Sequence, residues 1–91
     1  MSNVSTFVKS IIMLASQAGM RDNGTRLVMV QKTVDDCAAS VTHSKEKYAR
    51  LDTLLAEVKK QPQGRPDEVQ FLADVKDTII IKKRHIGDLA A

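Results

Sequence analysis

The chain has 91 residues, 43% of them hydrophobic and 27% charged, with a net charge of +3 from 14 basic and 11 acidic side chains. That length suits one small domain, and that balance excludes a disordered polar chain. So small a basic surplus falls short of the concentrated cationic face that nucleic acid binding draws on. Phe7, Tyr48 and Phe71 are the only aromatics, so the core must be aliphatic, and a chain this short often gains stability from self-association or from a partner. The single cysteine, Cys37, rules out an internal disulfide and suits a reducing compartment.

The first segment, residues 2–18, places Val4, Val8, Ile11, Ala15 and Ala18 at helical spacing, with Phe7, Ile12 and Leu14 widening the stripe. Ser2 or Ser5 can cap its start and Gly19 its end. Lys9, Ser10, Ser16 and Gln17 make it too polar and too short to span a bilayer. It has no basic region in front of it, as a secretion signal would. These features predict a cytoplasmic protein with no membrane partner.

A break follows at Gly19-Met20-Arg21-Asp22-Asn23-Gly24, where Asn-Gly is a strong turn dipeptide. One reading makes it a β-hairpin with residues 27–30 as a strand. The opposing strand would be weak, because Ala18, Gly19 and Met20 lack β-branching.

The second segment, residues 25–60, reads as one long helix with Thr25 as its N-cap. Its apolar ladder is Leu27, Val30, Val34, Cys37, Val41, Ser44, Tyr48, Leu51, Leu55 and Val58, alternating steps of three and four. That is the coiled-coil period. At about 1.5 Å per residue such a helix is roughly 50 Å long, more than either flanking segment can cover. Lys59 and Lys60 suit its C-terminal dipole.

The run Gln61-Pro62-Gln63-Gly64-Arg65-Pro66 stops that helix. A third helix over 66–89 starts with Pro66 and acidic Asp67 and Glu68. Leu72, Val75, Ile79, Ile86 and Leu89 form its seam, with Phe71, Ile80 and Ile81 to the side and Lys82-Lys83-Arg84-His85 in its last turns. The expected fold is therefore all-α with three helices: a long central helix with coiled-coil-like heptads, and two shorter ones folding back on it as hairpins.

Chemistry is sparse. Cys37 and His43 lie six apart and His85 is distant, so no CxxC or HExxH metal spacing exists. Cys37 sits on the ladder, where a thiol behaves as a small hydrophobe. Asp35 and Asp36 are adjacent and point apart on a helix. No GxSxG elbow or phosphate-cradling glycine loop occurs. The expectation is a non-enzymatic protein with no cofactor and no metal.

The half from 45 to 89 is a helical hairpin around the proline-bracketed turn "QPQGRPDEVQFL". In layout it resembles the small helical subunits and chaperones of bacterial secretion systems. In size it is similar to phage-encoded proteins that bind and block host machinery. Both likenesses are architectural and carry no functional positions over.

The leading functional expectation is a protein–protein interaction protein, an adaptor, chaperone or inhibitor, acting as a homodimer or in a hetero-complex. Ser44, Cys37 and Tyr48 make the seam less uniform than a leucine zipper, which favours a mixed bundle. Its interface candidates are Val34, Val41, Tyr48, Leu51 and Leu55; Met13, Met20 and Met29 could add an adaptable surface. The alternative is a small basic nucleic-acid-binding regulator using Lys82, Lys83 and Arg84.

Overall fold

The computed structural model describes residues 4–17, 22–61 and 66–90, which form four helices and no strand. They are α1 (Ser5–Ser16), α2 (Asn23–Ala39), α3 (Ser44–Lys59) and α4 (Pro66–Ala90). The all-α class holds, but the single central helix expected over 25–60 is two helices. Expectations placed on Ser2, Ala18, Gly19, Met20 and the stretch 62–65 lie outside the described residues, as does that on the side chain of Leu89.

Local chemistry explains where each helix starts. At α1 the N-cap is Val4, which makes no side-chain cap bond, and not a serine. At α2 the cap is Asp22 in place of Thr25: its Oδ1 accepts from the Thr25 N–H at 2.6 Å. Asp22 has the extended ψ of 162° that an N-cap needs. Asn23 and Gly24 thus begin the helix, and residues 27–30 are helical, which overturns the hairpin reading.

The break between α2 and α3 has both a local and a global cause. Ser40, Val41, Thr42, His43 and Ser44 are successive weak helix formers, and hydroxyl groups compete for backbone partners. The Ser40 hydroxyl donates to the Cys37 carbonyl at 2.6 Å. Across the bend, the Lys47 ammonium donates to the Ala38 carbonyl at 3.0 Å, satisfying an acceptor that the end of α2 leaves open. His43 is extended, with φ −81° and ψ 142°, and α3 starts after it. The global cause is burial. A straight helix would leave much of the ladder wet, whereas folding back lets α2 and α3 share one core.

The largest interface is between α3 and α4; α2 packs on both, and α1 closes the side over α2 with smaller contacts to α3 and α4. The molecule measures 40 × 27 × 17 Å. Ile11, Val30, Val34, Cys37, Leu51, Leu54, Phe71, Val75 and Ile79 are all fully or almost fully buried. Phe71, set to one side of the seam by the periodic pattern, is the largest of them. It turns inward because α4 faces three helices and needs a wider apolar face than a two-helix seam.

One charged residue lies among these apolar ones. Arg26, 4% exposed, donates from Nη1 to the Leu14 carbonyl at 3.1 Å, and its guanidinium carbon sits 4.2 Å from the centre of the Phe71 ring. One side chain on α2 thereby holds the end of α1 and the start of α4. The guanidinium suits this role because it is planar and stacks on a ring while still donating at its edge.

Candidate functional site

The sequence-derived candidates divide sharply. Val34, Leu51 and Leu55 are buried in the chain's own core. Val41 is half-buried beside the α2–α3 bend, and Tyr48 is 44% exposed. The ladder is therefore chiefly an internal packing surface that reaches solvent at its middle and, in part, at Leu27.

Tyr48 stands in the second turn of α3 and lies across the end of α4. The ring passes beside Gly87 with room to spare: a methyl group at that position would meet the ring carbon Cε2 at 3.8 Å, an ordinary van der Waals contact. One turn earlier on α4, the Lys83 ammonium sits 4.9 Å from the ring centre. Asp52, one turn after Tyr48 on α3, fixes that lysine at 2.7 Å. The Lys83 hydrogen bond and charge hold the Asp52 carboxyl below its usual pKa. Tyr48 is thus an aromatic ring set in place by the opposite helix, with one side left open.

Beside the ring is an open hollow of about 190 Å³ lined by Ser44, Lys45, Tyr48, Ile86 and Gly87. Its wall is mainly hydrocarbon, from the tyrosine ring, the isoleucine and the bare glycine. Polar groups sit at the rim, where α3 begins. The spacing pattern could reveal Tyr48 as a ladder position. It could not reveal Gly87 and Ile86 as its companions, because those lie 39 and 38 positions away and meet it only through the α3–α4 packing.

The cationic run Lys82-Lys83-Arg84-His85 is not one face. Lys82 reaches α2, pairing with Asp35 at 3.0 Å, while Lys83 reaches α3 and Asp52. Successive residues on a helix point about 100° apart, so neighbours on α4 fall into different grooves. Arg84 and His85 are exposed. Nor is this run in the last turn of α4, which holds no basic residue and ends at Ala90. The run's roles are inter-helix pairing at two positions and solvent exposure at the other two.

The methionine expectation gains a location. Met13 on α1 and Met29 on α2 line one groove of about 260 Å³, with Ser10, Leu14, Thr33, Lys32 and Asp36 around them. Met13 is 56% exposed. Cys37 is wholly buried, and desolvation raises its thiol pKa, as expected of a packing residue. Among the described residues no group of three or more His, Cys, Asp or Glu is placed to hold a metal ion, and no helix is long and apolar enough to cross a membrane.

Comparison with protein-family models, with curated proteins and with solved structures finds no match to this chain.

Proposed function

We propose that this chain is a non-enzymatic helical protein–protein interaction protein, a small cytoplasmic adaptor, chaperone or inhibitor that works by occupying a partner's surface. The observation that carries the reading is the Tyr48 hollow. A half-exposed tyrosine, immobilised by Lys83 and laid over Gly87, borders an apolar recess. A preset aromatic beside a small recess is the kind of group on which binding energy concentrates, because the ring needs little further ordering. The recess suits one apolar side chain of a partner. Lys45 and the first N–H groups of α3 at its rim favour an acidic neighbour on that partner.

The test is comparative capture. Immobilised wild type and Tyr48→Ala are exposed to the same cell extract, and circular dichroism checks that both are equally folded. The reading expects a protein held by the wild type and lost with the variant. A partner retained equally by both removes Tyr48 from the binding site.

The alternative, a nucleic-acid-binding regulator, rests on Lys82, Lys83 and Arg84. With Lys82 and Lys83 each paired to a carboxylate, it must either break those pairs or rely on Arg84 and scattered lysines. Absence of any DNA or RNA shift at low salt disposes of it.

A further inference from the structure

The apolar ladder keeps its three-four rhythm straight through the bend that separates α2 from α3. Leu27, Val30, Val34 and Cys37 lie before it, and Leu51, Leu55 and Val58 well after it. A hairpin does not require this. Two helices joined by a bend can each face the core in any rotational phase relative to the other. A shared phase is required only when the two are one helix.

The ladder positions between those two groups are Val41, Ser44 and Tyr48. They are left half-buried or exposed, as is half-buried Leu27 at the ladder's start, while those from Val30 to Cys37 and from Leu51 to Val58 are buried. The connection that reverses the chain is short, only residues 40–43. It contains neither glycine nor proline, and no described residue has a positive φ. Ser40 is still helical at φ −70° and ψ −12°, and His43, just before α3, is extended at ψ 142°. The bonds that stabilise the end of α2 here, from the Ser40 hydroxyl and the Lys47 ammonium, stand in for backbone N–H donors that a continuous helix would supply.

We infer that residues 40–43 are a hinge, and that a second copy of this chain is the partner built into the fold. In the exchanged form α2 and α3 fuse into one helix. The α1–α2 arm of each copy packs on the α3–α4 arm of the other. The core between the arms re-forms between chains, as do the Arg26–Phe71 stack and the Lys82–Asp35 pair, which already link the two arms. The two-fold axis falls at the hinge. There Val41, Ser44 and Tyr48 of one copy lie beside the same residues of the other, which covers the part of the ladder that the closed chain leaves wet. The inference is independent of the partner proposed for the Tyr48 hollow, because its readouts are mass and distance and not capture.

Two variants push the hinge in opposite directions. Ser40→Ala, Thr42→Ala and His43→Ala together favour a continuous helix. Ser44→Pro favours the hairpin: it fills the first position of α3, where proline is well accepted, after a residue already extended as a pre-proline residue must be. In the fused helix the same proline would be internal and disruptive. Light scattering then gives the mass of each chain, at low concentration and after refolding at high concentration. Spin labels on Val28→Cys and Lys59→Cys, diluted with unlabelled chain, give the distance within one molecule. In the hairpin both labels lie at one end of a bundle whose cross-section is 27 × 17 Å. In the fused helix they stand about 45 Å apart. The expected result is that the triple alanine variant doubles in mass with the long distance. Wild type should yield a dimer fraction on concentrated refolding, and Ser44→Pro should stay monomeric. A triple alanine variant that stays monomeric, or dimerises with the short distance, overturns the inference. Dimerisation of Ser44→Pro equal to that of wild type also overturns it.

Discussion

Gly87→Ala tests the geometry on which the Tyr48 hollow depends. A glycine inside a helix costs about 1 kcal/mol relative to alanine, through the backbone freedom it loses on folding. Gly87 lies one turn from the end of α4 at Ala90, where helices fray, so roughly half of that cost is recoverable. The glycine φ is not positive, so alanine introduces no backbone strain. Its methyl would sit 3.8 Å from Tyr48 Cε2, in attractive contact and not in collision. The sum is a gain of about 0.5–1 kcal/mol, which for a domain of this size raises Tm by roughly 2–8 °C. The same methyl intrudes on the hollow of about 190 Å³. The variant should therefore be more stable yet weaker in partner capture, an opposition that general damage to the fold cannot produce. Thermal melts followed by circular dichroism give the first quantity and comparative pull-down the second. A lower Tm would mean that the tyrosine ring presses on the α4 backbone more closely than 3.8 Å and would refute the geometry.

Three further outcomes are expected. Arg26→Ala removes a charge-assisted hydrogen bond and a desolvated cation–π contact, together about 3 kcal/mol by denaturant titration; Arg26→Met should restore most of that loss, because the Leu14 carbonyl still accepts from the Gln17 N–H and a buried charge is replaced by hydrocarbon. If methionine is as damaging as alanine, the charge itself is indispensable. Leu51→Ala, at a fully buried position, should cost about 2–5 kcal/mol and Leu51→Asp should prevent folding; a folded, soluble aspartate variant would contradict the core assignment. Asp22 and Asp52 both titrate below the ordinary 3.8 in the folded chain, through the Thr25 backbone N–H and Lys83 respectively. Their stabilisation is complete above that value and is lost as pH falls through the folded values. An acid melt that Asp22→Ala and Asp52→Ala leave unchanged would show that neither contributes.

The helical class was legible because apolar spacing is a local property. The stripe Val8, Ile11, Ala15 on α1, the ladder from Val30 to Cys37 and from Leu51 to Val58, and the seam Leu72, Val75, Ile79 on α4 are all buried where the periodicity puts them. The break after Ala39 was harder to read. Ser40, Val41, Thr42 and His43 each cost only tenths of a kcal/mol in a helix, so no single residue announces a stop as proline does. Phe71 was misjudged for a related reason: a two-helix seam is the simplest geometry to read from a pattern, and α4 meets three neighbours.

The candidate site was less legible still. Tyr48 could be singled out as an awkward ladder residue, but its meaning depends on Gly87, Ile86 and Lys83 from another helix. The basic run showed the opposite problem. Four consecutive charges look like one feature along the chain, yet α4 turns about 100° per residue and passes Lys82 to α2 and Lys83 to α3.

Returning to the long ladder, sequence by itself determined that these segments are helices and which side of each is apolar, since both follow from spacing and turn chemistry within a few residues. Only the tertiary structure decided that the ladder folds at residues 40–43 and closes on itself. The local preference there is too weak to choose, and the choice falls to the apolar area that α1, α2, α3 and α4 bury together.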